Sequence, residues 1–368
     1  MVDSFSFPDF VEENFSSLPI ERAETIPASW YTHPSILEID REIIFAQTWQ
    51  YVGSISQIEN VGDFLTTTVA RNPIIVLRDK ENILRALYNV CRHRGGPLEL
   101  EEHGNCKMLQ CKYHGWTYQL DGSLRGVPKF DRAELFDKKD YGLLPISVDV
   151  WENLLFVNLQ NNAPLNVLLN GITQRISPIS LSTKKFFKRV VYEVNCNWKV
   201  YVDNYLEGYH VPIVHPELCN LLDYQNYITE TYEHYSLQYS PFTQQENLYG
   251  AQNGEAYYYF IFPNFMLNIL PGRLQTNLVV PIAHNKTNVI FDYYYDDISS
   301  PSVKKIIEDD IAYADNVQQE DREICEYVQR GLESKAYNKG RFSVEMEQGV
   351  YHFQSLLKKF YENFLHTH

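Results

Sequence analysis

Two short runs constrain this chain more than anything else in it: Cys91-Arg-His93-Arg-Gly-Gly-Pro and Cys111-Lys-Tyr-His114-Gly-Trp. Each supplies one thiol and one imidazole, and only residues 94–110 lie between His93 and Cys111. A fold that uses both runs must bring two similar loops to one point. A [2Fe–2S] cluster with two Cys on one iron and two His on the other needs that stoichiometry, and imidazoles in place of thiolates raise its potential. Gly95, Gly96 and Gly115 permit tight turns in which backbone amides approach the sulfides. Such hydrogen bonds tune the potential further. The competing reading is a Cys2His2 zinc site, but zinc fingers group like ligands together, and here each half mixes them. Cys106 has no His following at the same spacing and is expected to be a bystander. Cys196, Cys219 and Cys325 are expected to be buried thiols.

The loops need a β scaffold, and their surroundings offer one. Between residues 46 and 160, short β-type runs (FLTTTVA, PIIVLRD, ILRALYNV, LLFVNL) are broken by Gly, Pro and Asn. That pattern predicts a small antiparallel β domain. NNAPLN after Leu159 reads as its boundary. A chain of 368 residues has room for a second domain, expected to comprise 1–45 and 161–368. Its pattern predicts a helix around 36–45 and a strand running into a helix in YEVNCNWKVYVDNYLEGYH. Strand-like runs follow over 256–295, then an amphipathic helix over 301–333 and a final helix. The expected class is α+β.

A net charge of −15 argues against nucleic acid and anionic membranes as partners. No run approaches the 18 apolar residues of a membrane span. The acidic start MVDSFSFPDFVEENF has neither signal nor transit character, which predicts a cytoplasmic protein. Six Cys in such a chain read as ligands and buried thiols rather than as a disulfide framework.

A second constellation lies in Asp203-Asn-Tyr-Leu-Glu207-Gly-Tyr-His210-Val-Pro-Ile-Val-His215. Asp203, Glu207 and His210 fall at i, i+4 and i+7, one face of a helix. Pro212 interrupts that helix, so His215 is expected to arrive from an altered turn. Two His and one carboxylate with open positions form the facial triad of non-haem Fe(II) oxygenases. Taken alone, the two His could equally be structural. The helix over 301–333 offers the carboxylate. Ile307, Ile311, Ala314, Val317, Ile324 and Val328 recur at helical spacing, and Asp321 stands where an apolar residue belongs. A buried carboxylate must be paired or metal-bound; an Arg partner is the plain alternative. Glu320, one step round, is expected to face more polar surroundings.

Together these motifs resemble the oxygenase (alpha) component of Rieske non-haem iron oxygenases. The resemblance runs from WQYVGS at Trp49 to VEMEQGVYHF near the end. It implies a Rieske domain and a helix-grip (START-like) catalytic domain. It also implies a [2Fe–2S] cluster on Cys91, His93, Cys111 and His114, and a mononuclear Fe(II) on His210, His215 and Asp321. Glu207 would link the iron site to the cluster of a neighbouring subunit, with Asp203 and Asn204 as supporting residues; an ordinary helix-face Glu is the alternative. The family habit implies a homotrimer, because cluster and iron within one chain lie too far apart. O2 is the implied co-substrate. The chain has no P-loop and no clear G-x-G-x-x-G run, so NAD(P)H would act only through a separate flavin/iron–sulfur reductase.

The substrate follows from a narrower likeness. PNFMLNILPGRLQTNLVVPIA and the run from VQQEDREICEYVQRG onward are similar to choline, carnitine and betaine monooxygenases. That implies hydroxylation or N-demethylation of a small quaternary ammonium compound. Its physical counterpart is an aromatic cage, with Tyr205, Tyr209, Tyr258, Phe260, Phe262 and Phe265 as candidates. Each of them could equally be core. Arg273 could bind a substrate carboxylate bidentately or lie at the surface. Two alternatives stand beside this reading: an oxygenase of aromatic substrates, and a Rieske electron carrier without catalysis.

Overall fold

The computed structural model describes residues 15, 18–160, 164–221, 226–242 and 255–367. The N-terminal segment through position 14 lies outside them, and nothing is described of the Cys219 side chain. The chain divides into two compact units, residues 44–183 and residues 1–43 with 184–368. Among the described residues, no helix is long and apolar enough to cross a membrane.

Among its described residues the first unit holds ten strands: β1 (Gln50–Ser54), β2 (Asp63–Val69), β3 (Asn72–Arg78), β4 (Leu84–Tyr88), β5 (His103–Asn105), β6 (Leu109–Gln110), β7 (Thr117–Tyr118), β8 (Leu124–Gly126), β9 (Pro145–Trp151) and β10 (Leu154–Asn158). Seven form an antiparallel sheet in the order β1-β10-β9-β4-β3-β2-β5, and β6-β7-β8 form a small second sheet. β3 explains the run PIIVLRD. Alternation sends Ile74 and Val76 into one cluster with Leu155 and Val157. Ile75 and Leu77 go to the opposite face, against Trp116 and Tyr118. A strand covered on both faces reads as a continuous apolar run.

NNAPLN does not end this unit. The helix Leu165–Ile176 buries Leu165, Leu169, Ile172 and Ile176. Trp151 Nε1 of β9 donates to Thr173 Oγ1 of that helix at 2.9 Å. The helix therefore covers the sheet, and the unit runs on to Thr183.

The second unit is a seven-stranded antiparallel sheet of β11 (Lys185–Val194), β12 (Ile228–Thr231), β13 (Tyr235–Pro241), β14 (Glu255–Ile261), β15 (Phe265–Leu270), β16 (Arg273–Ala283) and β17 (Lys286–Tyr295). Their order is β11-β17-β16-β15-β14-β13-β12. With them go a short helix Trp198–Tyr205, a long helix Pro301–Leu332 and a C-terminal helix Gln348–Thr367. The long helix starts as its sequence dictates: the Ser300 side chain accepts from the Val303 N–H, and Pro301 occupies the first turn. The expected helix around 36–45 forms as an α-helix Pro34–Ile39 that continues as a π-helix Asp40–Phe45.

The buried stripe of the long helix differs from the apolar stripe. It comprises Ile307, Asp310, Ala314, Gln318, Cys325 and Gln329, whereas Val328 is exposed. The reason is satisfaction of the polar groups. Tyr201 Oη donates to Gln318 Oε1 at 2.6 Å, and the Asn197 N–H donates to Gln329 Oε1 at 2.8 Å. Polar side chains with partners bury at little cost. A buried ion pair anchors the N-terminal segment: Lys199 Nζ binds Asp40, which also accepts from Trp198 Nε1 and the Tyr361 hydroxyl.

Candidate metal centres and substrate cavity

The two Cys–His loops are near copies. The Cys91 carbonyl accepts the Gly95 N–H at 3.0 Å, and the Cys111 carbonyl accepts that of Gly115 at 3.1 Å. The Cys91 N–H donates to the Gly96 carbonyl and the Cys111 N–H to the Trp116 carbonyl, each at 2.8 Å. Gly95 and Gly115 sit at φ +70° and +73°, where a Cβ is strained. Gly96 lies against the other loop, since a Cβ there would stand 2.9 Å from Cys111 Sγ. The Lys112 N–H donates to the Pro97 carbonyl at 3.0 Å and ties the loops together.

The two His rings stand 4.8 Å apart. His93 stacks on Trp116, and its buried Nδ1 has no hydrogen-bond partner. An orphaned buried nitrogen is costly in a purely structural histidine and fits a metal ligand. His114 is exposed. The donor set of two thiols and two imidazoles suits a [2Fe–2S] cluster. The sequence reading missed Tyr118. Its hydroxyl accepts the Arg92 N–H at 3.0 Å and stands 3.3 Å from Cys91 Sγ, so its own proton can point at the sulfur. Cys196 and Cys325 are buried thiols of the other unit.

The iron-type site departs from the expected helix. Trp198–Tyr205 ends before Glu207, so Asp203, Glu207 and His210 do not share a continuous helical face. Asp203 points elsewhere: it accepts from the Tyr31 hydroxyl at 2.6 Å and from Gln354 Nε2 at 3.2 Å. Burial pushes its pKa up to about 7. Asn204 Nδ2 does reach the site, donating to Asp321 Oδ1 at 2.6 Å. Pro212 breaks no helix; it opens a new short one, Val211–Val214, where its missing N–H is not needed. The His215 N–H closes that turn on the Val211 carbonyl at 2.9 Å.

His210, His215 and Asp321 then come together, with ligand-type atoms all within 4.8 Å of one another. His215 Nε2 lies 2.9 Å and His210 Nε2 3.6 Å from Asp321 Oδ1. The opposite nitrogens are held by carboxylates. His210 Nδ1 meets Glu207 Oε1 at 2.7 Å, and His215 Nδ1 meets Glu320 Oε2 at 2.6 Å. A carboxylate on Nδ1 fixes the tautomer and aims Nε2 at a metal. Glu320, expected in polar surroundings, is half-exposed and still touches His215. Burial disfavours charge on His210, yet its bonds to Asp321 and Glu207 prevail and raise its pKa to about 9. Burial would raise Asp321, but the two His hold it down at about 2. The two shifts are one attraction seen from its two ends, each group stabilising the other's charge.

A cavity of about 140 Å³ opens on these three residues. Of the six aromatic candidates, Tyr205 and Tyr258 line it. Tyr209 is exposed, and Phe260, Phe262 and Phe265 are core. Phe260 and Phe262 pack on Phe353 of the C-terminal helix. Sheet register explains the choice, because Gln238, Tyr258, Asn268 and Gln275 form one row across β13 to β16 and all face the cavity. Tyr201, Tyr227, Phe291 and Tyr313 also line it and were missed. They come from segments far apart in sequence, with no motif to join them. Arg273 is no surface residue: it is buried in the cavity wall and bound to Asp310.

A mainly β unit with paired Cys–His loops, joined to an antiparallel-sheet unit with two His and a carboxylate, is the architecture of an iron–sulfur-fed non-haem iron oxygenase. Residues 48–144 match the Rieske [2Fe-2S] domain, and residues 181–363 match the ring hydroxylating alpha subunit, catalytic domain. The chain is 35% identical to the chloroplastic choline monooxygenase of Arabidopsis thaliana, over 94% of this chain and 85% of that protein. It is 31% identical to the carnitine monooxygenase oxygenase subunit of Acinetobacter baumannii, over 95% and 98%. A solved quaternary ammonium Rieske monooxygenase superposes with a TM-score of 0.85 at 30% identity, covering 94% of this chain and 99% of that one. The chain belongs to the Rieske non-haem iron oxygenases, as their alpha subunit. It is an oxidoreductase with a [2Fe–2S] cluster and a catalytic iron, so the reading as a bare electron carrier falls away.

Proposed function

We propose that this chain is the oxygenase component of a monooxygenase that hydroxylates or N-demethylates a small quaternary ammonium compound of choline, carnitine or betaine type. One observation carries the reading: a tyrosine-lined cavity opens on the converged His210, His215 and Asp321. The rings of Tyr205, Tyr258 and Tyr313 suit a cation that cannot donate hydrogen bonds. The relatives named for choline and carnitine support the same class.

We assign the cluster to Cys91, His93, Cys111 and His114 in a domain of residues 44–183, and the iron to His210, His215 and Asp321 in the remainder. With both groups bound, the site supplies electrons and activated oxygen for attack on a C–H bond. The protein's own residues position the reaction. Glu207 and Glu320 hold the Nδ1 protons of the iron histidines, Asn204 anchors Asp321, and the tyrosines line the space in which a substrate would lie beside the three ligands. With the cluster bound, the exposed His114 would be the exit point for electrons, and Glu207 of a neighbouring subunit in a homotrimer would receive them. A separate flavin/iron–sulfur reductase using NAD(P)H would supply them.

The test is turnover with O2, a reductase and a panel of choline, carnitine and glycine betaine against aromatic acids. Formaldehyde or a hydroxylated product from a quaternary amine is expected. Product from an aromatic acid alone would overturn the substrate class.

A further inference from the structure

We propose that Asp310 determines which quaternary ammonium compounds the cavity accepts. By neutralising Arg273, it makes the cavity take one bearing a neutral oxygen group, such as a hydroxyl, in preference to one bearing a carboxylate. This rests on the quaternary ammonium reading and deepens it to the charge type of the substrate.

The long helix gives the cavity its axis. Asp321, Gln318, Ala314 and Asp310 recur three or four residues apart and share one face. At 1.5 Å per residue, Asp310 stands about 16 Å along that axis from Asp321. There it holds Arg273, which lines the cavity. Among the described residues, Arg273 is the arginine of the cavity wall. An uncompensated arginine there would repel an ammonium group and clamp a carboxylate through its fork.

The fork is committed elsewhere. Arg273 Nη1 donates to Asp310 Oδ1 at 2.6 Å, and Nη2 donates to Gln275. The second Asp310 oxygen accepts the Tyr295 hydroxyl at 2.5 Å. Gln275 passes the chain on to Asn277 Oδ1 at 2.7 Å. Arg273 and Asp310 are both buried, so the pair meets the cavity with no net charge. What the helix offers between its ends is neutral: Gln318 Nε2 and the Tyr313 hydroxyl, both buried and without a hydrogen-bond partner. Two neutral donors suit a hydroxyl or carbonyl oxygen. Among the described residues, those that the helix sends to the cavity include no cation to balance the full charge of a carboxylate taken from water.

Choline and glycine betaine share a trimethylammonium head and differ in the terminal group. Calorimetry on the iron-loaded protein should show choline bound at least about tenfold more tightly, the scale of one unbalanced charge contact, with kcat/KM in the same direction. Asp310→Asn exposes the Arg273 charge and should move the preference at least about tenfold toward glycine betaine. Because an uncompensated buried Arg can unfold the chain, the double variant Arg273→Gln/Asp310→Asn is the second arm. Its wall is again neutral, and it should keep the wild-type preference to within about threefold. Tighter binding of glycine betaine by the wild type overturns the proposal and leaves the quaternary ammonium reading standing. Binding of neither compound, with an aromatic acid bound instead, overturns that reading and the proposal with it.

Discussion

All four proposed cluster ligands fall between positions 91 and 114 of one small β unit, whereas the proposed iron ligands come from positions 210, 215 and 321 of the other. The cluster unit makes its site from two copies of one turn, each closed by its own backbone and pinned to the other. The catalytic unit makes its site by packing a long helix against a reversed chain. The charges differ as well. Residues 44–183 hold 14 Lys and Arg against 14 Asp and Glu, and the rest of the chain holds 18 against 33. The whole net charge of −15 therefore resides in the catalytic unit. A cation entering its cavity is drawn by that field, and an anion is repelled. The contrast teaches that electron storage here is a local property of loops, while substrate choice and oxygen chemistry depend on the tertiary fold.

The sharpest way to break that contrast is to remove one site and look for the other. His210→Ala should bring turnover to background and lower the iron content by one atom per chain, with the cluster's visible spectrum unchanged. Cys91→Ser should do the reverse, bleaching the spectrum while Fe(II) still binds the catalytic unit. Loss of both groups in either variant would mean the sites are not separable. A stability test comes next. Lys199→Met leaves Asp40 buried without its cation and should cost about 3–5 kcal/mol. In denaturant, the circular dichroism of the catalytic unit should be lost earlier, while the cluster's visible band keeps its midpoint. A joint shift would make the two units one cooperative body.

The same contrast decides what the sequence could say. The cluster loops were legible because ligand type, spacing and glycines all lie within one short window. Asp321 was legible as a carboxylate out of place on an apolar stripe. That stripe was nonetheless read about one position off, because Asp310, Gln318 and Gln329 bury through partners that no helical period reveals. Helical spacing from Asp203 carried Glu207 and His210 past the real end of the helix at Tyr205, and Asp203 bonds to Tyr31 and Gln354 instead. The cavity was the least legible part. Which tyrosines face it depends on how distant segments pack, since Tyr201, Tyr205 and Tyr313 come from helices and Tyr258 from β14, and Tyr258 and Phe260, two residues apart, end in different surroundings.

Glu320 tests the non-local side with a smaller effect. It reaches His215 Nδ1 from the helix that carries Asp321. Glu320→Gln keeps the shape and removes the charge behind the imidazole. Losing such a partner weakens metal binding by about 10–100-fold. Fe(II) titration should show that loss, with the cluster spectrum and potential untouched. Unchanged affinity would mean that the half-exposed carboxylate only covers the site.

The smallest expected effect belongs to the local side. The Tyr118 hydroxyl stands 3.3 Å from Cys91 Sγ, and its oxygen already accepts the Arg92 N–H, which leaves its proton for the sulfur. A donor to a cluster sulfur stabilises the more negative, reduced state and raises the potential. Tyr118→Phe removes that donor and keeps the ring in its buried place beside Trp116 and Leu109. A hydrogen bond of about 0.5–1.5 kcal/mol corresponds, at about 59 mV per tenfold change for one electron, to a fall of about 20–60 mV. Protein-film voltammetry reads it directly. The Fe(II) affinity of the catalytic unit should not move, because Tyr118 acts only within its own loop pair. A potential that stays fixed would mean the hydroxyl serves the Arg92 amide alone, and a change in Fe(II) binding would mean that the two sites share more than the electrons passed between them.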